Sequence, residues 1–326
     1  MNNDSEDVLS ELILIGLSRD LQTQRMLFVS CLVMYTLTIC GNIILTCVII
    51  TSPHLHTPMY YFLCNLSFLD LFYSTSTVPK MLLGMISTGG RRISHTGCVL
   101  QMLISLFLGQ TECILLAVMA YDRYIAICFP LRYMVIMSWK KCNIITITVW
   151  TGSFLNISVP ASLKPFKFCK KSYVDHYFCE VIVLLKLVCG DTFFYEEMIF
   201  SSTLFSALIP FGFILSSYIC IIRAVLKIRS ASGRYKAFST CSSHLTIRSE
   251  TGRKKAFSTC ASHLTVVFIF YGTGLIMYFG ATKIPTSKIK FISLMYIVVT
   301  PMLNPMIYSL RNNDVKRAVK KILIKR

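Results

Sequence analysis

The sequence predicts an all-α membrane protein, a bundle of seven transmembrane helices, on three observations. Of 326 residues, 54% are hydrophobic and only 15% charged, where a soluble domain carries about a quarter charged residues. The apolar residues fall into seven blocks of roughly 20, the length that spans a bilayer as helix. The surplus of 18 positive charges is concentrated on alternate connections between those blocks. Disorder, a collagen-like fibre and a small disulfide scaffold are excluded by the same composition. Net charge on a lipid-embedded chain is no evidence for nucleic-acid binding.

The first block is Met26–Ile50, and nothing before it has the basic start and apolar core of a cleavable signal peptide. The first span therefore serves as its own targeting signal. The second block, Tyr60–Val78, holds one acid, Asp70. The third, Cys98–Ile127, holds Glu112 and the Asp122–Arg123 pair. The fourth and fifth are Cys142–Ala161 and Met198–Ile222. The sixth, Thr259–Phe279, has His263 as its one strongly polar residue, and the seventh is Phe291–Leu310. Residues 1–25 form an N-terminal segment, 223–258 a third cytoplasmic loop, and 311–326 a tail.

Charge orients the bundle. With the N-terminus outside, the inner side carries Arg123, Arg132, Lys140, Lys141, nine bases from Arg223 to Lys255 and seven from Arg311 onward, net +17; the outside is nearly balanced at +3. The positive-inside tendency favours this arrangement. Asn3-Asp4-Ser5 is then a glycosylation sequon on the outer segment. Four of 14 cysteines, Cys98, Cys169, Cys179 and Cys189, face the oxidising side and admit three pairings. The other ten read as small buried hydrophobes. His54, His56 and His263 have no companion at zinc-ligand spacing and read as structural.

Four stretches then carry a resemblance: Leu55-His56-Thr57-Pro58-Met59-Tyr60, Met119-Ala120-Tyr121-Asp122-Arg123-Tyr124-Ile125-Ala126-Ile127-Cys128, Lys255-Ala256-Phe257-Ser258-Thr259-Cys260 with Ser262-His263-Leu264-Thr265, and Pro301-Met302-Leu303-Asn304-Pro305-Met306-Ile307-Tyr308. In order and spacing the set resembles the odorant (olfactory) receptors, a branch of the rhodopsin-like G-protein-coupled receptors. The resemblance implies a short amphipathic eighth helix and the disulfides Cys98–Cys179 and Cys169–Cys189. It implies a plasma-membrane protein that takes a small volatile odorant and activates a stimulatory, olfactory-type heterotrimeric G-protein, raising cAMP. No enzyme activity and no organic cofactor are implied.

The polar residues in lipid follow. An intramembrane acid costs about 2.5–3.5 kcal/mol, which makes Asp70 and Glu112 functional candidates. Two carboxylates alone repel, and one is pushed to protonate; a shared cation removes the conflict. The resemblance implies a sodium site of Asp70, Glu112 and Asn304, and the competing reading is a protonated, hydrogen-bonded pair. Arg123 by itself reads as a snorkelling arginine. By resemblance it is an activation switch, paired with acid at rest, with Asp122, Tyr218, Pro305 and Tyr308 as partners. Pro305 beside Asn304 predicts a weak point in the seventh helix.

A ligand cavity is expected in the outer half of the bundle, where helical spacing places Met102, Ser105, Leu106 and Gly109 on the third span. Ser202 and Ser206 sit on the fifth, and Tyr271, Gly274, Leu275 and Tyr278 on the sixth. Periodicity alone describes ordinary packing equally well; the resemblance assigns these faces to the pocket. No acid faces it from the third span, so an amine salt bridge is not indicated.

Arg229–Thr246 and Arg248–Thr265 agree at fourteen of eighteen positions, a period of 19, where the family pattern has this segment once. Copy two continues into Val266-Val267-Phe268 and copy one into Ile247-Arg248-Ser249-Glu250. Charged residues enter lipid at high cost, so copy two opens the sixth span and copy one lengthens the loop. The repeat raises the alternative of a folded receptor that no longer signals, or a pseudogene product. A transporter, the other membrane class, predicts repeated halves that the hydropathy lacks. The basic tail Lys316–Arg326 reads as an amphipathic helix on the lipid surface, with no role in nucleic-acid binding.

Overall fold

A computed structural model of the chain describes residues 11–18, 20–87, 89–166, 168, 173–231, 250–280 and 286–324; side chains at 225–231, 250–259, 278–280, 286–287, 310–311, 313 and 322–324 are left aside. Among the described residues the bundle is built from seven long helices and a shorter eighth: α1 (Leu21–Thr51), α2 (Pro58–Ile86), α3 (His95–Cys128), α4 (Trp139–Leu163), α5 (residues 193–231), α6 (Glu250–Gly280), α7 (residues 286–311) and α8 (Asn313–Ile324).

Six of the long helices are apolar enough by composition to cross a membrane; α2 falls short. Its polar side chains are turned inward, with Ser67, Asp70, Ser74 and Thr77 buried while Phe68, Phe72 and Leu83 are exposed. This reversal of the soluble pattern suits a helix whose solvent is lipid.

The helix ends differ from the hydropathy boundaries for local reasons. Asp20 accepts from the Thr23 N–H at 2.7 Å, so α1 begins five residues before Met26. Residues 223–231 and 250–258, expected in the third loop, belong to α5 and α6. Copy two of the repeat runs into α6 from Glu250 onward, whereas copy one beyond Ala231 lies outside the described residues. Asn312 Oδ1 accepts from the Asp314 N–H at 2.9 Å and separates α7 from α8. On α8, Val315 and Ala318 are buried and Lys316 and Arg317 exposed, giving the amphipathic face.

A small sheet was not expected. Strands β1 (Glu11–Leu14), β2 (Arg92–Ser94) and β3 (Tyr173–Val174) lie in the order β2-β1-β3, antiparallel then parallel. Leu12 and Leu14 of β1 are buried beneath it. The sheet joins the N-terminal segment to the α2–α3 and α4–α5 connections, so all three lie at one end of the bundle, the sheet end. Gly90 turns the chain into β2; a Cβ there would lie 2.3 Å from the Leu83 carbonyl oxygen, which only glycine avoids. The disulfide Cys98–Cys179 pins the long α4–α5 connection onto α3.

Two helices leave α geometry for one turn each. In α5 the π segment is Leu204–Leu208, and in α7 it is Met295–Val299. Each ends two residues before a proline, Pro210 and Pro301, whose missing N–H cannot continue the regular ladder. Thr300 Oγ1 donates to the Met295 carbonyl at 2.9 Å. The irregularity of α7 therefore falls before Pro301. Pro305, expected to mark the weak point, sits within continuous helix against Gly41, where a Cβ would lie 3.1 Å from its ring.

Candidate functional site

Towards the sheet end, α3, α5 and α6 enclose a cavity of about 130 Å³. An apolar cavity of about 150 Å³ holds a benzene-sized molecule. Met102, Ser105, Leu106, Gly109, Ser202, Ser206, Tyr271, Gly274 and Leu275 all line it; the Tyr278 side chain lies outside those described. Tyr73 of α2, Ile157 of α4, Phe178 and Glu180 of the α4–α5 connection and Tyr296 of α7 complete the walls. Ser206 and Tyr296 both stand in the π turns, which turn them towards the space.

Its polar groups are mostly engaged. Tyr271 donates to the Cys113 carbonyl at 2.8 Å, and Ser206 to the Ser202 carbonyl at 2.6 Å. The Ser202 hydroxyl meets Gln110 Oε1 at 3.2 Å and Asn156 Oδ1 at 3.0 Å. One hydroxyl proton serves only one of these, so the other amide presents its NH₂ instead. Ser105 Oγ is buried and without a partner.

Glu180 was missed. It follows the disulfide Cys179, and its Oε2 accepts from the Tyr296 hydroxyl at 2.7 Å. Burial pushes its carboxyl up to about 7. The expectation that no acid faces the cavity from the third span agrees with its α3 lining; the acid comes from the loop. Beside it, Asp175 pairs with Lys290 at 2.7 Å, and Tyr177 and Ser293 hydroxyls meet at 2.9 Å. His176 Nε2 lies 3.3 Å from the Ser293 hydroxyl, and burial holds this imidazole down to about 3. The loop is thereby strapped across α7.

One layer deeper, Asn304 Nδ2 donates to both Asp70 oxygens, at 3.0 and 3.1 Å. Glu112 lies within electrostatic reach of Asp70. Glu112 Oε1 and Asn304 Oδ1 are buried without partners. Two carboxylates and an amide oxygen are hard donors and fit an alkali cation. Among the described residues no three His, Cys, Asp or Glu side chains converge as a metal site.

At the opposite end, Arg123 is 4% exposed, and its Nε and Nη1 have no hydrogen-bond partner. The expected pairing with Asp122 is absent, because neighbours on a helix point about 100° apart. Asp122 instead accepts from the Tyr133 hydroxyl at 2.8 Å. Arg123, Ser262, Tyr308 and Asn312 line one small crevice, and the Tyr308 hydroxyl is unpartnered. Tyr218 turns elsewhere, to His263 Nδ1 at 2.9 Å, while His263 Nε2 lies 3.1 Å from the Leu116 carbonyl. A carbonyl only accepts, so Nε2 carries the proton and Nδ1 accepts from Tyr218. His263 thus ties α3, α5 and α6 together. Asn3 and Cys169 lie outside the described residues; Cys189 is disulfide-bonded.

A heptahelical membrane bundle with an internal cavity at one end and a buried arginine at the other is a receptor architecture. The family model "7 transmembrane receptor (rhodopsin family)" matches residues 41–308. Olfactory receptor 13F1 of Homo sapiens is 44% identical, covering 93% of this chain and 90% of that protein. Olfactory receptor 13H1 of Homo sapiens is 42% identical over all of both, and olfactory receptor 2A7 of Mus musculus 41% over 97% and 96%. The chain belongs to the olfactory-receptor branch of the rhodopsin-like G-protein-coupled receptors. It is not an enzyme.

Proposed function

We propose that the chain binds small volatile odorants in the cavity and signals through a stimulatory, olfactory-type G-protein docked at the Arg123 end. The observation that carries this is the mainly apolar, partly open cavity of about 130 Å³ with few polar groups, which suits small apolar ligands. The sheet end faces outward in this reading and the +17 side inward, in the plasma membrane. Arg123 would be the switch, released to the G-protein as Tyr218, Tyr308 and the α7 segment around Pro305 rearrange. Asp70, Glu112 and Asn304 would hold a sodium ion that stabilises the resting state.

The test is a cAMP reporter in cells expressing the full chain, challenged with an odorant panel and normalised to surface staining. A response that Gly109→Phe removes without loss of surface receptor supports the cavity. Undiminished signalling by Arg123→Ala at the surface rejects the switch, and basal activity of Glu112→Gln that still follows sodium rejects the ion. A second reading, a folded receptor that no longer couples, rests on the repeat. Deleting residues 229–247 decides it: signalling that appears only after deletion assigns the fault to copy one.

A further inference from the structure

From the placement of Glu180 we infer that the cavity selects ligands bearing a protonated amine on an apolar body, with the Glu180 carboxylate as the counter-charge. This rests on the proposal that the cavity is the odorant site. Among the described residues that line the cavity, Glu180 is the only ionisable acid or base apart from Tyr and Cys side chains, and it is 5% exposed. Its one hydrogen-bond donor at a side chain is the Tyr296 hydroxyl, at 2.7 Å. The nearby base Lys290 is already taken by Asp175 at 2.7 Å.

A buried carboxylate whose donors are the Tyr296 hydroxyl and the Val181 and Ile182 N–H groups, with no counter-cation among the described residues, is expensive, and burial holds its carboxyl up to about 7 despite those donors. A cationic ligand supplies the missing charge. Ser105 adds a second anchor: its hydroxyl is buried, faces the same cavity and has no partner. An ammonium carries three donors, enough for the carboxylate and this oxygen together. The remaining wall is mainly apolar and receives the hydrocarbon part.

The titratable groups around Glu180 leave it as the one that changes near neutrality. On α7 these are Tyr296 and the paired Lys290. On the same loop they are Tyr177, pushed upward by burial, and His176, held down to about 3 and hence neutral. From α2 the cavity receives Tyr73, from α6 Tyr271 and from α3 Cys113, beside the uncharged Gln101, Ser105 and Gln110.

The experiment compares n-heptylamine with 1-heptanol, close in shape, by the ligand-dependent rise in thermal midpoint of the detergent-solubilised full chain. The amine is expected to bind at least tenfold more tightly than the alcohol at pH 8. Glu180→Gln should bring the amine to the level of the alcohol and leave the alcohol within twofold. Where this variant does not fold, the unsubstituted chain decides. Between pH 8 and pH 6 its amine affinity should fall about tenfold, as Glu180 takes up a proton while the amine keeps its own. Equal affinity for both ligands, an equal loss of both in Glu180→Gln, or a pH-independent amine affinity overturns the inference. If 1-heptanol binds and Gly109→Phe abolishes it while no amine preference exists, the cavity reading stands and only this inference falls. If neither ligand binds, both fall.

Discussion

The two ends of the bundle are built on opposite principles. At the sheet end a disulfide, three strands, the Asp175–Lys290 pair and the Ser293 hydroxyl cluster bind the α4–α5 connection to its neighbours. At the Arg123 end, two nitrogens of a buried guanidinium and the Tyr308 hydroxyl have no hydrogen-bond partner, and in the middle layer Glu112 and Asn304 each leave an oxygen unpaired. A satisfied polar network rigidifies a region, whereas an unsatisfied one stores a penalty that another arrangement can relieve. The contrast teaches where the molecule is a fixed container and where it is poised to change.

The largest expected effect breaks the rigid end. Cys98→Ser opens a disulfide between residues 81 apart in sequence, worth about 4 kcal/mol, and surface staining should fall close to background. Next, Arg123→Leu removes a buried cation with two unpaired nitrogens. Signalling should be lost while the thermal midpoint stays level or rises, since an uncompensated buried charge contributes nothing favourable; a clear drop in midpoint would show that Arg123 is satisfied after all.

A subtler effect involves proton linkage at the sheet end. Unfolded, Glu180 and His176 titrate near 4.5 and 6.5; folded, they titrate near 7 and 3. Between pH 4.5 and 6.5 the folded chain keeps a Glu180 proton that the unfolded chain has released. Over the same range it lacks a His176 proton that the unfolded chain has gained. The two contributions oppose, and the stability profile should be nearly flat. Glu180→Gln leaves His176 alone, so stability should decline as pH falls from 6.5 to 4.5, by about 2–3 kcal/mol, read from midpoints across that range. The smallest effect is Thr300→Val, which removes the hydroxyl bonded to the Met295 carbonyl and should lower stability by about 1 kcal/mol.

The long-range plan was legible in one dimension, because seven apolar blocks and a one-sided charge are properties of consecutive residues. The pocket faces of α3, α5 and α6 were legible only through the family resemblance, since the helical spacing of Ser105 and Gly109 or Tyr271 and Gly274 describes ordinary packing equally well. What escaped depends on contacts between distant segments. Strand β1 is only four residues long, and its partners lie about 80 and 160 positions away. Glu180 carries no signal of its own in the sequence; the disulfide beside it and the bond from Tyr296 place it inside. His263 read as an isolated polar residue, and its partners Tyr218 and Leu116 come from other helices. The π turns have a sequence signal in Pro210 and Pro301, each two residues beyond the turn.

The position of β1 in its sheet sets an order of assembly. As the middle strand it cannot be completed until Tyr173 has been made, 160 residues after its register partner Ile13. At about 5–20 residues per second of synthesis, that interval is roughly 8–32 s. In the proposed topology the first segment of the receptor is then already across the membrane, with Leu12 and Leu14 uncovered and one strand edge open. The earliest part of this chain to reach the far side of the membrane is among the last to find its place, and a nascent receptor that stalls before β3 presents an apolar, hydrogen-bonding ribbon to whatever quality-control factors wait there.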